Sequence, residues 1–190
     1  MKQNFVFLLA FFSLCTLTRA QTLSNTRPPR LCAVVVGISQ YSPDNGIRSL
    51  QFADRDAEQF TRLLNCADSM QVDTVITLLN EDATIGNLDM AISYLRQQVA
   101  DTSSRPDYIV FYFSGHGQLS KYDDEQEGHF ILYDTDCSSS LDLGYGHTDL
   151  VRHVKQWVNK CKKGGQRLFM ILSPSQKQLV FRHFSPFLVA

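Results

Sequence analysis

In the stretch Asp107 to Gln118, DYIVFYFSGHGQ, an apolar run from Tyr108 to Phe113 stops abruptly at Ser114-Gly115-His116-Gly117. A histidine between two glycines at the end of a buried strand packs poorly but suits chemistry. Imidazole exchanges protons near neutral pH, and neighbours without side chains let a substrate backbone approach it. In an open parallel sheet, ligands sit at the carboxyl ends of the strands, which is where this histidine would emerge. Taken alone, Gly-His-Gly favours a plainer reading, a strand-end turn carrying a surface histidine. Its surroundings reverse that preference.

The elements that must hold such a histidine follow from hydrophobic periodicity. Leu31 to Ile38 is a continuous valine-rich run, which fits a parallel strand covered on both faces, with Gly37 letting the chain turn out of it. Tyr41 to Gly46 reads as a loop. Leu50, Ala53, Ala57, Phe60 and Leu64 recur at steps of three and four, so they form one buried helical stripe with Asp54, Arg55 and Glu58 off it. Val72 to Leu79 is a second strand. Thr84 caps a second helix with the stripe Leu88, Ile92, Leu95 and Val99, and Tyr108 to Phe113 is the third strand. Ser120 to Gly128, with Lys121, Asp123, Asp124, Glu125 and Glu127, reads as a solvated loop before a short strand from Phe130 to Tyr133. Leu150, Val154, Trp157 and Cys161 mark a third helix ended by Gly164-Gly165, and Arg167 to Leu172 is a fourth core strand. This alternation predicts an α/β fold, a three-layer sandwich with a mainly parallel sheet. Right-handed crossovers then place the first three strands in the order second, first, third.

Composition narrows the function classes. The chain has 190 residues, enough for one domain with a real core, and 44% of them are hydrophobic. Lys plus Arg number 18 against 19 Asp plus Glu, so no net field draws the chain to nucleic acid or to an acidic membrane surface. Lys2, the apolar run Phe5 to Leu17 and the closing Thr18-Arg19-Ala20 have the order of a secretory signal, cleaved after Ala20. The run is well short of the ~20 residues that span a bilayer, so a secreted or periplasmic protein, free of the membrane after cleavage, is expected. Residues 21–30, with Pro28-Pro29, form a linker. Cleavage removes Cys15 and leaves Cys32, Cys66, Cys137 and Cys161, which have no metal-site spacing and read as thiols packed as small hydrophobes. The acidic residues from Asp123 to Glu127 match no calcium-loop spacing, so neither a metal nor a cofactor is expected.

With these elements in order, Leu31 to Leu172 resembles the caspase-like cysteine peptidases, and among them the metacaspase-like and bacterial members. The matching parts are AVVVGISQY (Ala33 to Tyr41), Leu50-x-x-Ala53-x-x-Asp56-Ala57, NEDAT (Asn80 to Thr84) and YFSGHG (Tyr112 to Gly117), the last being the most specific. The resemblance implies a fold, a Cys-His peptidase mechanism on peptide or protein substrates, and cleavage after Arg or Lys. It makes His116 the histidine of the dyad and Gly117 the donor of an oxyanion-hole N–H. Asp56 and Ser114 fall on positions that line the acidic pocket for a basic side chain. On its own residues, Asp56 reads equally well as a carboxylate facing a helix N-terminus.

The departure is as informative as the match. In the family the fourth strand leads into Asp-x-Cys-His-Ser-Gly, whereas here Ile171-Leu172 is followed by Ser173-Pro174-Ser175-Gln176-Lys177-Gln178. Caspase-type enzymes place the histidine ~50 residues before the cysteine. Ser175, 59 residues after His116, stands where the nucleophile belongs. The flanking aspartate, histidine and glycine are also gone, and Pro174 lacks a backbone donor. Residues 173–190 match nothing in the family, and the family's later core strands have no counterpart in them. Two functions compete: a peptidase domain lacking its nucleophile, and a pseudopeptidase that binds peptide or protein through the same cleft. A flavodoxin-like domain for a small ligand would need phosphate-cradling loops, and the sequence has none.

Overall fold

The structure is a computed structural model that describes residues 27–101, 103–122, 125–135 and 167–172. In chain order its elements are β1 (Arg30–Gly37), α1 (Ala53–Asn65), β2 (Gln71–Leu79), α2 (Ile85–Ala100), β3 (Tyr108–Ser114), β4 (Gly117–Tyr122), β5 (Glu125–Phe130) and β6 (Arg167–Leu172). Four strands form one sheet in the order β2-β1-β3-β6, and each neighbouring pair is parallel. The first three stand in the order expected from right-handed crossovers, and β6 lies beside β3.

The valine run has no polar face because both of its faces are covered. Cys32, Val34 and Val36 point to the layer of α2, joined by Leu88, Ile92, Leu95, Ile109, Phe111 and Phe113. Ala33 and Val35 point the other way, into a cluster with Ala57, Leu64 and Val110. Helix, sheet and helix thus form the three layers. The cap of α2 is the one its sequence predicts, with the Thr84 hydroxyl accepting a hydrogen bond from the Asn87 amide at 3.2 Å. All four residues of its predicted stripe are buried.

α1 starts later than its periodicity implies. Leu50 lies in the preceding loop, where its amide donates to the Ser39 carbonyl at 2.8 Å, and the helix begins at Ala53. The reason lies in the close approach of α1 to the end of β1. A Cβ on Gly37 would stand 2.4 Å from the Ala57 Cβ and 2.6 Å from the Ala53 carbonyl oxygen. Glycine and two alanines therefore let the first turn of α1 rest directly on the strand end.

The charged segment read as a loop is an antiparallel hairpin. β4 and β5 pair from Gly117↔Phe130 to Tyr122↔Glu125, and the expected strand over Phe130 to Tyr133 reduces to its first residue. This ribbon stands apart from the main sheet, so neither face has to be apolar and the period-two signal is weak. Its anchor is hydrophobic all the same. Phe130, Ile131 and Leu132 are buried, with the Phe130 ring 4.5 Å from that of Phe113 and 5.9 Å from that of Phe111.

Arg30, expected to end the linker, opens β1 and pairs with Asp73 at 2.6 Å. The signal segment, the third helix over Leu150 to Cys161, Asp123, Asp124, Cys137, Ser175 and the tail lie outside the described residues. Among the described residues, no helix is long and apolar enough to cross a membrane.

Candidate active site

His116 leaves the sheet just past β3, at the carboxyl edge. The register pairs Phe113 with Leu172, so β3 and β6 end side by side. His116 and Ser175 are each three residues beyond a member of that pair. Adjacent strand ends are what a histidine and a nucleophile on these two strands require.

Three bonds hold His116. Its amide donates to the Tyr41 hydroxyl at 2.6 Å, and its carbonyl accepts from the Ile131 amide at 2.9 Å. Its ring nitrogen Nε2 lies 2.6 Å from the Arg48 carbonyl oxygen. A carbonyl only accepts, so Nε2 carries the proton in this bond and Nδ1 is left as the basic nitrogen. The imidazole is therefore set in one tautomer, able to take a proton at Nδ1 and give it back.

Gly117 follows at the start of β4. With the Ile131 amide bonded to the His116 carbonyl, Gly117 and Phe130 form a non-hydrogen-bonded pair of the antiparallel ladder. The Gly117 N–H therefore points away from β5. An amide so directed, on a residue with no side chain to obstruct it, has the geometry of an oxyanion donor.

Asp56 and Ser114 come together around Tyr112. Ser114 is buried at the end of β3, and its hydroxyl bonds with the Tyr112 phenol. Tyr112 stacks on Phe60 of α1 with ring centroids 4.6 Å apart. Burial pushes the Tyr112 phenol up to about 12, the nearby Asp56 charge adds to this, and the bond with Ser114 opposes it. Burial, then the charge of Asp54, raises the Asp56 carboxyl above the usual aspartate range.

The two acidic residues at the start of α1 have different surroundings. Both Asp54 and Asp56 lie in the first turn of α1. Burial pushes the Asp54 carboxyl up, but hydrogen bonds from Ser39, Asn80 and the Arg55 and Asp54 amides together carry it below the usual range. Asp54 is thus the carboxylate tied to the helix start. The Asp56 carboxyl is partly desolvated, and the hydrogen bonds that lower Asp54 do not act on it.

Residues that the motifs do not single out hold the rim. Asn80 adopts φ of 45°, a left-handed conformation that asparagine tolerates better than other residues with a side chain. Its Oδ1 accepts from the Ser39 and Gln40 amides at 2.9 and 3.0 Å, and its Nδ2 donates to Asp54 Oδ2 at 3.2 Å. The Ser39 hydroxyl donates to Asp54 Oδ1 at 2.7 Å. One side chain thereby joins the ends of β1 and β2 to α1. Asn80→Ala leaves two amides without their acceptor and strains the backbone, so it should cost about 2 kcal/mol or more in urea unfolding. Asn80→Gly, which relieves the backbone alone, should lose less. Asparagine between a strand and Glu-Asp was the available signal for this turn. Tyr41 and the Arg48 carbonyl act from a loop, where periodicity says nothing.

Comparison with known proteins agrees with this fold. The family model for the caspase domain matches residues 30–171. No curated protein matches the chain significantly. Among solved structures, the chain is similar to the crystal structure of a protein from Geobacter sulfurreducens, at 16% identity and a TM-score of 0.50. The likeness covers 76% of this chain and 50% of the other, so this chain spans half the length of that protein and shares its fold. A caspase domain acts on proteins or peptides in general, and a family match over most of the chain, on this sheet order, shows where the chain stands. The protein belongs to the caspase-domain family of peptidases.

Proposed function

We propose that this caspase domain binds peptides bearing Arg or Lys in an acidic pocket and does not cleave them. The pocket consists of Asp56, Ser114 and Tyr112, with His116 as the acid–base residue and Gly117 as the oxyanion donor. One observation carries the reading: Tyr112, on the strand that ends two residues before His116, feels the charge of the raised Asp56 carboxyl and bonds with the buried Ser114. A guanidinium or ammonium placed there meets a carboxylate poorly solvated by water, where a charge pair is stronger than at an open surface. The departure after β6 supports the second half, since Ser173-Pro174-Ser175 replaces the cysteine segment. We propose further that the protein is exported by the segment ending at Ala20.

Calorimetric titration with a peptide containing one arginine tests this. Asp56→Asn should lower its affinity at least about tenfold, the scale of a charge-assisted hydrogen bond. A glutamine-for-arginine peptide should bind weakly to both proteins. The pH dependence has a definite sign. Binding needs the carboxylate, and the Asp56 pKa is raised, so affinity should fall on acidification at a higher pH than an ordinary aspartate of about 3.9 would give. The same raised pKa means that protonating Asp56 does not destabilise the fold. Asp54 behaves oppositely: its depressed pKa contributes stability above the unfolded value, lost as pH falls through the folded one. Binding should therefore fade before the rim loosens. Equal affinity in Asp56→Asn would remove the pocket from the account.

A further inference from the structure

We propose that Tyr41 is the positioning residue of His116, holding the backbone on which the imidazole is aimed. This rests on the reading of His116 as the acid–base residue. Gly115 gives the chain freedom directly before the histidine, and His116 falls in the short break between β3 and β4, outside either strand. Its amide would otherwise want a partner. The Tyr41 hydroxyl takes that amide at 2.6 Å, and the Tyr41 ring lies 5.3 Å from the imidazole, tilted by 38°. Tyr41 itself is 7% exposed and packed in the core with Ile38 and Phe113. The phenol also closes the space over Gly115, where a Cβ would come within 3.0 Å of the hydroxyl oxygen.

The loop that carries Tyr41 is braced, so it can transmit position. The Ser42 amide and the Asn45 side-chain amide both donate to the Tyr133 carbonyl, at 3.3 and 3.1 Å. The same loop delivers the Arg48 carbonyl to Nε2 at 2.6 Å. One loop therefore grips the histidine twice, the backbone through a phenol and the ring through a carbonyl. Losing the first grip lets the ring drift from the second, and the population of the Nε2–H tautomer falls.

The test is nitrogen-15 NMR of the histidine ring and amide in the full chain without peptide, so it reads positioning whether or not peptide binds. Tyr41→Phe keeps the ring and removes the hydroxyl. The expected result is about tenfold faster amide exchange at His116 and a shift of its ring nitrogens towards mixed tautomers. A folded Tyr41→Phe with lower stability but an unchanged His116 ring signature would overturn the proposal and leave Tyr41 a core residue only. Should Tyr41→Phe fail to fold, uniform 3-fluorotyrosine weakens the phenol as an acceptor while keeping its shape. The His116 amide proton should then move upfield, and an unmoved one would also overturn it.

Discussion

Fluorogenic peptides ending in Arg or Lys should remain uncut by the purified chain, with or without calcium. The histidine and the nucleophile of such a site act as a unit, and removing either costs roughly a millionfold in turnover where this has been dissected. His116→Ala should therefore leave the background rate unchanged if, as proposed, the imidazole has no thiolate to serve. The described cysteines offer no substitute. Cys32 sits in β1 at the end of the sheet opposite His116, and burial pushes its thiol up to about 11. Cys66 is exposed just past the end of α1, nine residues beyond Ala57, which packs on Gly37 at the carboxyl edge. Turnover that vanishes in both His116→Ala and Ser175→Ala would make the protein a serine variant. Turnover that vanishes in Cys137→Ala would mean that a displaced cysteine has taken the role.

Gly37→Ala should be strongly damaging to the described fold. The added methyl group meets the Ala57 Cβ at 2.4 Å and the Ala53 carbonyl at 2.6 Å, and neither belongs to a flexible side chain that can swing aside. α1 must move away from β1 or the strand end must bend. Overpacking of this kind costs about 1–3 kcal/mol and occasionally more, a large part of the 5–15 kcal/mol that holds a typical domain. We expect about 3 kcal/mol from urea denaturation. Because Asp56 rides on the first turn of α1, Gly37→Ala should also weaken the arginine peptide under conditions where the protein is still folded. Leu88→Ala, a cavity in the opposite layer costing about 2–5 kcal/mol, should reduce stability and leave that affinity unchanged. Equal effects of the two on binding would detach the pocket from α1.

The parts of this fold that were legible in the sequence are those where one physical term dominates. β1 and β3 are buried on both faces, so their residues are apolar without interruption, and Thr84 announces its helix by a side-chain bond. The hairpin was hidden because β4 and β5 form a sheet of their own, where strands carry charge freely. The start of α1 was misplaced because Leu50 continues the helical spacing while the Gly37 contact fixes the first turn at Ala53. At the site, His116 was visible because a histidine between glycines has little packing value. Its partners were not, since a phenol, a carbonyl and an asparagine in a left-handed turn work through loops that leave no periodic trace.

The most direct measurement is a titration of the isotope-labelled chain with an excess of an unlabelled peptide containing a single arginine, followed by NMR of both molecules. The account predicts saturable shifts at Asp56, Tyr112, Ser114 and His116, with the peptide's own resonances intact at the end. Replacement of those resonances by the signals of two fragments would contradict the absence of cleavage, and a titration that moves none of these residues would contradict the binding site.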